Sequence, residues 1–328
     1  MFFITMIMGS MITISSNSWM GMWIGLEINL LSIIPLLSVN NQTNSTEASI
    51  KYFITQVTAS NIILMAIICM FHNNEQIDNN SHLITMIQSA LFIKMGAAPF
   101  HAWFPEVMDG LSWINCLIIL TWQKMAPMII LMSIIKQEMF TFSVIILSSM
   151  LGSIMGFNQI SLRKIMAYSS INHIGWMIAA MMSAKSIWII YFAIYSTISI
   201  NVIWIFHMMN AKNIGQISSL FGTNKMSSLM FSMNFLSLGG LPPFLGFLPK
   251  WLTIQQLTFM NNIALSMLLI LLTLIALFFY LRMSLVPMTM LNQANLEKIP
   301  KKVNFIVMFT NLISLAALAS IGLMWNPF

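Results

Sequence analysis

Long apolar stretches separated by short polar ones occupy almost the whole chain of 328 residues. A bilayer core about 30 Å thick needs about 20 apolar residues per helix, and most stretches have about that length. The pattern predicts an all-α polytopic membrane protein with about eleven transmembrane helices, at residues 1–18, 20–39, 50–71, 82–108, 111–135, 141–157, 165–183, 187–209, 226–259, 262–288 and 303–325. The fourth and ninth are overlong and contain proline, so we interpret each as one interrupted crossing.

The longest polar connections are residues 39–49, 72–81, 210–225 and 291–302. None is long enough to bury a core of its own. We therefore expect a single transmembrane domain over residues 1–328. The first residues lack the basic segment and cleavage site of a signal peptide, so we expect the first span to belong to the mature protein.

Two similar phrases mark the fourth and ninth spans: LFIKMGAAPFHAWFPEV at residues 91–107 and LGGLPPFLGFLPKWL at residues 238–252. An offset of 144 residues (96 to 240) aligns their glycines and prolines. The expected helix-breaking residues are Gly96, Pro99, Gly240, Pro242 and Pro243. Broken helices at matching positions are typical of transporters built from two structural repeats. The alternative is that these residues only kink two helices for packing.

The offset also predicts how the repeats are oriented. It covers five helices, from the fourth to the ninth, and an odd number of helices gives the two copies opposite topology. We therefore expect an inverted pair of five-helix repeats, at residues 1–135 and 141–288, followed by an additional C-terminal helix at residues 303–325.

Composition agrees with a membrane protein, with 58% hydrophobic and only 7% charged residues. Cys69 and Cys116 show no CxxC spacing, which argues against a disulfide framework, a zinc site or an iron–sulfur cluster. No Walker loop, GxGxxG or CxxCH sequence occurs. We therefore expect no metal, nucleotide or redox cofactor on this chain.

The net charge of +6 reflects dispersed basic residues, which favours no nucleic-acid partner. Loops after even-numbered spans carry eight basic residues: Lys51, Arg163, Lys164, Lys212, Lys225, Lys298, Lys301 and Lys302. Loops after odd-numbered spans carry Lys136 and Lys185. The positive-inside rule then places the N-terminus on the cytoplasmic or matrix side and the C-terminus outside.

Four ionisable residues lie deep in apolar sequence, where lipid should not tolerate a charge: Glu27, Lys94, Lys124 and Lys250. A charge at the bilayer centre costs at least about 2.5 to 3.5 kcal/mol, so we expect these groups to face one another or water. Lys94 precedes the first break and Lys250 follows the second. Lys124 lies three residues before Pro127, whose missing N–H leaves a carbonyl unpaired one turn earlier.

Burial disfavours the charged form of a lysine or glutamate, whereas a nearby opposite charge favours it. Such groups can change protonation when a neighbouring charge changes, which is the chemistry of a proton relay. Alternatives are that Lys250 snorkels to an interface and that Glu27 only holds a neighbouring helix by a hydrogen bond. His173 could extend the polar axis or simply join two helices. For Glu106 and Asp109 we favour a structural role.

The sequences GLEINLL, KMGAAPFHAWFPEV, LTWQKMAP, YSSINHIGW and LGGLPPFLGFLPKW occur in this order. Together they closely resemble the subunit 2 family of respiratory complex I (NADH:ubiquinone oxidoreductase) in its animal mitochondrial form, over essentially the whole chain. The family consists of antiporter-like membrane subunits. The resemblance implies a proton relay through Glu27, Lys94, Lys124, His173 and Lys250, in which the Glu27–Lys94 pair switches first.

The resemblance also implies a place in a larger enzyme. FMN, iron–sulfur clusters and ubiquinone would belong to other subunits, and the partners would be the other membrane-arm subunits and the lipid bilayer, including cardiolipin. The implied location is the mitochondrial inner membrane, with the N-terminus in the matrix and the C-terminus on the intermembrane-space side. Two alternatives remain, a stand-alone cation/proton antiporter and a purely structural membrane subunit.

Overall fold

The computed structural model describes residues 1–38, 43–73, 81–135, 139–221 and 225–289. Over these residues the chain forms helices and, apart from an isolated bridge between Ser161 and Asn213, no β-structure. The all-α prediction is confirmed. The helices are α1 (Phe2–Ser15), α2 (Trp19–Leu37), α3 (Thr43–Asn73), α4 (Ser81–Met95), α5 (Trp103–Gly110), α6 (Trp113–Leu120), α7 (Trp122–Ile134), α8 (Met139–Phe157), α9 (Leu162–Ser183), α10 (Lys185–Met209), α11 (Ile214–Phe221), α12 (Lys225–Gly239), α13 (Phe247–Phe259) and α14 (Ile263–Thr289).

Six segments of the described chain are long and apolar enough to cross a bilayer: Trp19–Leu37, Thr43–His72, Trp113–Ile134, Met139–Phe157, Lys185–Met209 and Ile263–Leu285. Three shorter apolar helices are Phe2–Ser15, His82–Met95 and Leu229–Gly239. The last two precede the interruptions of the predicted fourth and ninth spans. The predicted span at residues 303–325 lies outside the described residues.

Three segments differ from the sequence-based expectation. Residues 43–49, predicted as a polar connection, form the first turns of α3, where the hydroxyls of Thr46 and Ser49 donate to carbonyls three residues earlier. Local bonds of this kind satisfy the polar side chains without a loop. The predicted connection at residues 210–225 contains α11. The fifth span is interrupted at Thr121, which separates α6 from α7.

The chain divides into two compact units, Met1–Ser148 and Ser149–Phe328. In the first unit, α1 crosses α2 in close contact. A Cβ atom on Gly9 would lie 2.8 Å from the backbone nitrogen of Asn29, and one on Gly25 would lie 2.5 Å from Cγ2 of Thr13. Only small residues allow two backbones to approach this closely, so these glycines determine the α1–α2 distance.

The second unit is built around α9. Residues 165–182 of this helix are all buried, and α9 packs against α10, α13 and α14. Its contact with α8 repeats that of α1 with α2, since a Cβ atom on Gly152 would lie 2.6 Å from the backbone nitrogen of Asn172. Gly152 and Asn172 follow Gly9 and Asn29 by the same offset of 143 residues (9 to 152).

Candidate functional site

The first helix interruption lies between α4 and α5, where Gly96 has a φ of +73°. The N–H of Gly96 donates to the carbonyl of Ile93 at 3.1 Å, and the N–H of Ala97 donates to that of Phe92 at 3.0 Å. This pair of bonds is a Schellman turn, which favours glycine in the left-handed position. The turn therefore ends the helix two residues after Lys94.

Lys94 is only 7% exposed, and its ammonium interacts electrostatically with the carboxylate of Glu27. The ion pairs found among the described residues do not include this one. The Oε1 atom of Glu27 is buried and has no hydrogen-bond partner among those residues. The two charges therefore interact at longer range than a direct ion pair.

The carbonyls at the end of α4 are capped by neutral side chains. Gln56 of α3 donates from Nε2 to the carbonyl of Lys94 at 3.3 Å. The indole N–H of Trp103 donates to the carbonyl of Ile93 at 3.1 Å. Because the last carbonyls of a helix lack intrahelical partners, these two donors stabilise the broken end.

Lys124 lies in the first turn of α7 and is 2% exposed. Its ammonium is 5.3 Å from the ring centroid of Phe104, a distance at which an aromatic face attracts a cation. The same ring contacts Gly96, since a Cβ atom there would lie 3.2 Å from it. The first interruption and Lys124 therefore contact one aromatic side chain.

A cluster of neutral polar side chains lies beside Lys124. The amides of Asn29 and Gln123 exchange two hydrogen bonds of 3.0 Å each, and the hydroxyl of Tyr52 donates to Oε1 of Gln123 at 3.4 Å. The three residues belong to α2, α7 and α3. The cluster joins the helix that carries Glu27 to the helix that carries Lys124.

The second interruption has the geometry of the first. Gly240 has a φ of +78°; its N–H donates to the carbonyl of Ser237 at 3.0 Å, and that of Leu241 donates to Leu236 at 3.3 Å. The ends of α12 follow those of α4 by 144 residues (81 to 225 and 95 to 239), and α13 starts 144 residues after α5 (103 to 247). Pro99 lies within the first interruption, and Pro242 and Pro243 lie within the second.

At this second break a lysine supplies the cap. Lys250 of α13 is 6% exposed, and its ammonium donates to the carbonyl of Gly239 at 2.8 Å and, less closely, to that of Leu238 at 3.4 Å. It also lies 5.9 Å from the ring centroid of Trp176. The ammonium of Lys250 is therefore buried and points back to the broken end of α12.

Glycines bring Lys250 to this place. A Cβ atom on Gly240 would lie 2.8 Å from Cδ and 2.9 Å from Nζ of Lys250. A Cβ atom on Gly246, the residue before α13, would overlap the carbonyl oxygen of Ser237. Both positions thus need glycine for space, and Gly240 also needs it for its left-handed backbone.

His173 is 5% exposed and lies on α9 one turn before Trp176. Its Nδ1 atom is 2.9 Å from the hydroxyl of Tyr191, and its ring packs on that of Tyr195 at 5.1 Å between centroids. Lys250 thus contacts the buried helix that carries His173. The hydroxyl of Tyr195 lies near that of Ser170, and the hydroxyl of Tyr280 lies near that of Ser169.

Two other predicted residues lie near the surface. Glu106 is exposed and bonds to Lys51 at 3.0 Å, and Lys51 also bonds to Glu47 at 2.8 Å. Exposed ion pairs contribute little to stability. Asp109 is half-buried in the last turn of α5. In the described part of the chain, no group of three or more His, Cys, Asp or Glu side chains could hold a metal ion.

Sequence reasoning missed several polar residues of these clusters. Asn29 lies in GLEINLL beside Glu27, and Gln123 lies in LTWQKMAP beside Lys124. A polar amide next to a charge in an apolar stretch was the signal that could have identified both. Tyr191 offered none, because a tyrosine is common in apolar helices. Arg282 was overlooked although it is the only basic residue of the predicted tenth span; it donates to the carbonyls of Phe157 at 3.2 Å and Gln159 at 2.9 Å, and so caps α8.

Comparisons with known proteins agree with this arrangement. The family described as NADH:quinone oxidoreductase/Mrp antiporter, transmembrane part, matches residues 16–276. A chain of respiratory complex I from Thermus thermophilus has a TM-score of 0.87 at 21% identity, over 98% of this chain and 77% of its own. A chain of the Mrp complex from Dietzia has a TM-score of 0.84 at 14% identity, over 98% and 75%. Fold and site together define an antiporter-like membrane protein.

Relatives with higher sequence identity show which family of antiporter-like membrane proteins the chain belongs to. The NADH-ubiquinone oxidoreductase chain 2 of Anopheles gambiae is 47% identical over 99% of this chain and 97% of its own length. That of Locusta migratoria is 43% identical over 96% and 92%. The chain belongs to the NADH-ubiquinone oxidoreductase chain 2 family.

Proposed function

We propose that this protein is a membrane-arm subunit of respiratory complex I and takes part in the proton translocation that accompanies electron transfer from NADH to ubiquinone. The observation that carries the proposal is the sequence match to the chain 2 relatives, which covers nearly the full length of this chain and of each relative. The translocase activity belongs to the whole complex. FMN, the iron–sulfur clusters and the ubiquinone site belong to other subunits.

Within the first unit, we propose that Glu27, Lys94 and Lys124 relay protons. Both lysines are almost fully buried beside helix interruptions, where charge is costly unless it serves a function. Glu27 and Lys94 interact electrostatically without a direct ion pair. This supports a switching role, because a third charge can compete more easily with a weak interaction than with a direct ion pair. When Glu27 is drawn to another charge, Lys94 loses its electrostatic partner and passes its proton on towards a neutral Lys124.

Within the second unit, we propose that His173 and Lys250 form the corresponding set. Among the described residues, the ammonium of Lys250 bonds to the carbonyls of Gly239 and Leu238, acceptors that cannot themselves titrate. A histidine one turn from Trp176 supplies a second proton-binding group, and its bond to Tyr191 orients the ring. Both groups can therefore bind and release a proton while their surroundings stay in place.

We further propose that the fold consists of two inverted five-helix repeats among eleven transmembrane helices, at residues 1–135 and 141–288, with residues 303–325 as the last helix. The matching Schellman turns, the equal lengths of α4 and α12, and the matching glycine crossings support the repeat. The two offsets, 143 and 144 residues, differ by one. The odd number of helices per repeat supports the inversion.

The proposed location is the mitochondrial inner membrane, which the chain crosses several times. The distribution of basic residues supports an N-terminus in the matrix and a C-terminus on the intermembrane-space side. The proposed partners are the other membrane-arm subunits and the surrounding lipid, including cardiolipin, and we propose no nucleic-acid partner.

The test replaces Lys94 by methionine in the assembled enzyme and measures proton translocation together with NADH:ubiquinone turnover. The matched control is Lys185→Met, because Lys185 is an exposed lysine at the start of α10. We expect at least a tenfold loss of translocation with Lys94→Met, at an unchanged amount of assembled complex, and none with Lys185→Met. Normal translocation with Lys94→Met would make this lysine a packing residue.

A second measurement separates the alternatives. The purified chain alone is placed in lipid vesicles, and exchange of sodium ions for protons is followed. We expect no exchange, since the proposed activity depends on the other subunits. Exchange by the isolated chain would support a stand-alone antiporter. Normal translocation after neutralising Lys94, Lys124 and Lys250 together would support a structural subunit.

A further inference from the structure

The amide pair between Asn29 and Gln123 joins α2 to α7 within the first unit. Both amides use one donor and one acceptor on each other, at 3.0 Å. Tyr52, which is 3% exposed, donates to the same Oε1 atom of Gln123. Gln123 is therefore attached to two other helices, whereas its own helix begins only one residue earlier.

The attachment matters because α7 does not continue α6. Thr121 has φ of −112° and ψ of −71°, which interrupts the helix between them. The rotation of the first turn of α7 is therefore only partly set by α6, and the bonds of Gln123 supply the rest. Lys124 is the next residue, about 100° further around the helix. A rotation of this turn would move the Lys124 ammonium away from the ring of Phe104.

The same cluster reaches the first helix interruption. The ring of Tyr52 packs edge to face on that of Trp103, with 5.7 Å between centroids. Trp103 in turn donates to the carbonyl of Ile93, next to Lys94 in the chain. A displacement at the end of α4 can therefore be transmitted through Trp103 and Tyr52 to Gln123.

We infer that Gln123 is a positioning residue: with Asn29 and Tyr52 it holds the first turn of α7, and with it Lys124, in register with the interruption beside Lys94. Its effect on proton translocation rests on the relay proposed above. Its effect on the position of α7 does not.

The experiment compares Gln123→Leu with Gln88→Leu in the assembled enzyme. Gln88 of α4 is the matched control because it is fully buried and also donates to α7, to the carbonyl of Ile134 at 3.4 Å. That contact is ten residues from Lys124, about 15 Å along a helix. Each variant thus removes one glutamine whose side chain joins α7 to another helix, at opposite ends of α7.

Two readouts are taken, amide hydrogen exchange of residues 122–126 and the pH profile of proton translocation. We expect Gln123→Leu to speed exchange in this turn at least tenfold and to shift the pH profile, and Gln88→Leu to do neither. The double variant Asn29→Gln with Gln123→Asn restores an amide pair. We expect it to recover most of the normal hydrogen-exchange rate and of the normal pH profile.

Unchanged exchange at residues 122–126 in Gln123→Leu would overturn the inference, as would an equal shift of the pH profile by Gln88→Leu. Failure of the relay itself gives a different result. In that case Lys124→Gln would leave translocation intact, while Gln123→Leu would still speed the exchange of the first turn of α7.

Discussion

The ammonium of Lys250 donates a hydrogen bond of 2.8 Å to the backbone carbonyl of Gly239. Its longer bond reaches the carbonyl of Leu238. The residue 144 positions before Leu238 is Lys94, whose carbonyl accepts a hydrogen bond from the neutral amide of Gln56. Two breaks of the same backbone geometry are thus capped differently, one by an uncharged donor and one by a cation that can lose its proton.

Replacing Lys250 by methionine removes this cap while keeping an apolar stem of similar length. We expect the second interruption to lose about 1.5 to 3 kcal/mol, the range for hydrogen bonds to charged groups, and proton translocation to fall at least tenfold. Translocation assays on the assembled enzyme check this, with the exposed Lys212→Met as the control. Translocation at the normal rate in Lys250→Met would remove this lysine from the relay.

Gly240→Ala tests the space that Lys250 occupies. An alanine in the left-handed conformation of Gly240 costs roughly 1 to 2 kcal/mol. Its Cβ would also lie 2.8 Å from Cδ of Lys250, so the lysine side chain must move. We expect a lower thermal stability of the assembled enzyme and weaker translocation. Gly215→Ala is the control, since nothing lies within 4 Å of its added Cβ. Equal effects of the two changes would contradict the steric argument.

Gly9→Ala and Gly152→Ala test the two matching helix crossings. Each added methyl group would meet a backbone nitrogen, at 2.8 Å from Asn29 or 2.6 Å from Asn172. Because backbone atoms cannot rotate aside, we expect the helices to separate at a cost of about 1 to 3 kcal/mol. The amount of assembled complex after mild heating measures this loss. Gly239→Ala, whose Cβ would lie 3.6 Å from Tyr280, should behave like the unmodified protein.

Tyr191→Phe removes the hydroxyl that binds His173 and keeps the ring. A hydrogen bond between membrane helices contributes about 1 kcal/mol, so we expect normal assembly. The proposed role of His173 predicts a shifted pH profile of translocation, because the imidazole loses its orienting partner. Tyr280→Phe is the comparison, since its hydroxyl faces Ser169. A pH profile that does not move in Tyr191→Phe would indicate that His173 only joins two helices.

Much of the fold could be predicted because its causes are local. A glycine in left-handed backbone ends α4 and α12, and charges stand out in apolar stretches, so Gly96, Gly240, Lys94 and Lys250 are visible in the sequence. The start of α3 was not visible, because Thr46 and Ser49 can satisfy their hydroxyls on carbonyls of their own helix, so a polar segment need not be a loop.

The neutral part of the site could not be predicted in the same way. Asn29 and Gln123 are 94 residues apart in the chain, and their pairing depends on how α2, α3 and α7 pack. The orientation of Lys250 could not be predicted from the sequence either. Its position after the second break was apparent, but the direction of its ammonium depends on the space left by Gly240.

The two interruptions also bear on how a chain with so few acids can hold cations. The backbone dipoles of a helix add up to roughly half a negative elementary charge at its carboxyl end. By ending α4 and α12 within apolar stretches, the breaks place one such partial charge next to Lys94 and another next to Lys250. These partial charges cannot be neutralised by protonation, so they favour the charged form of each lysine even when a neighbouring carboxylate is protonated.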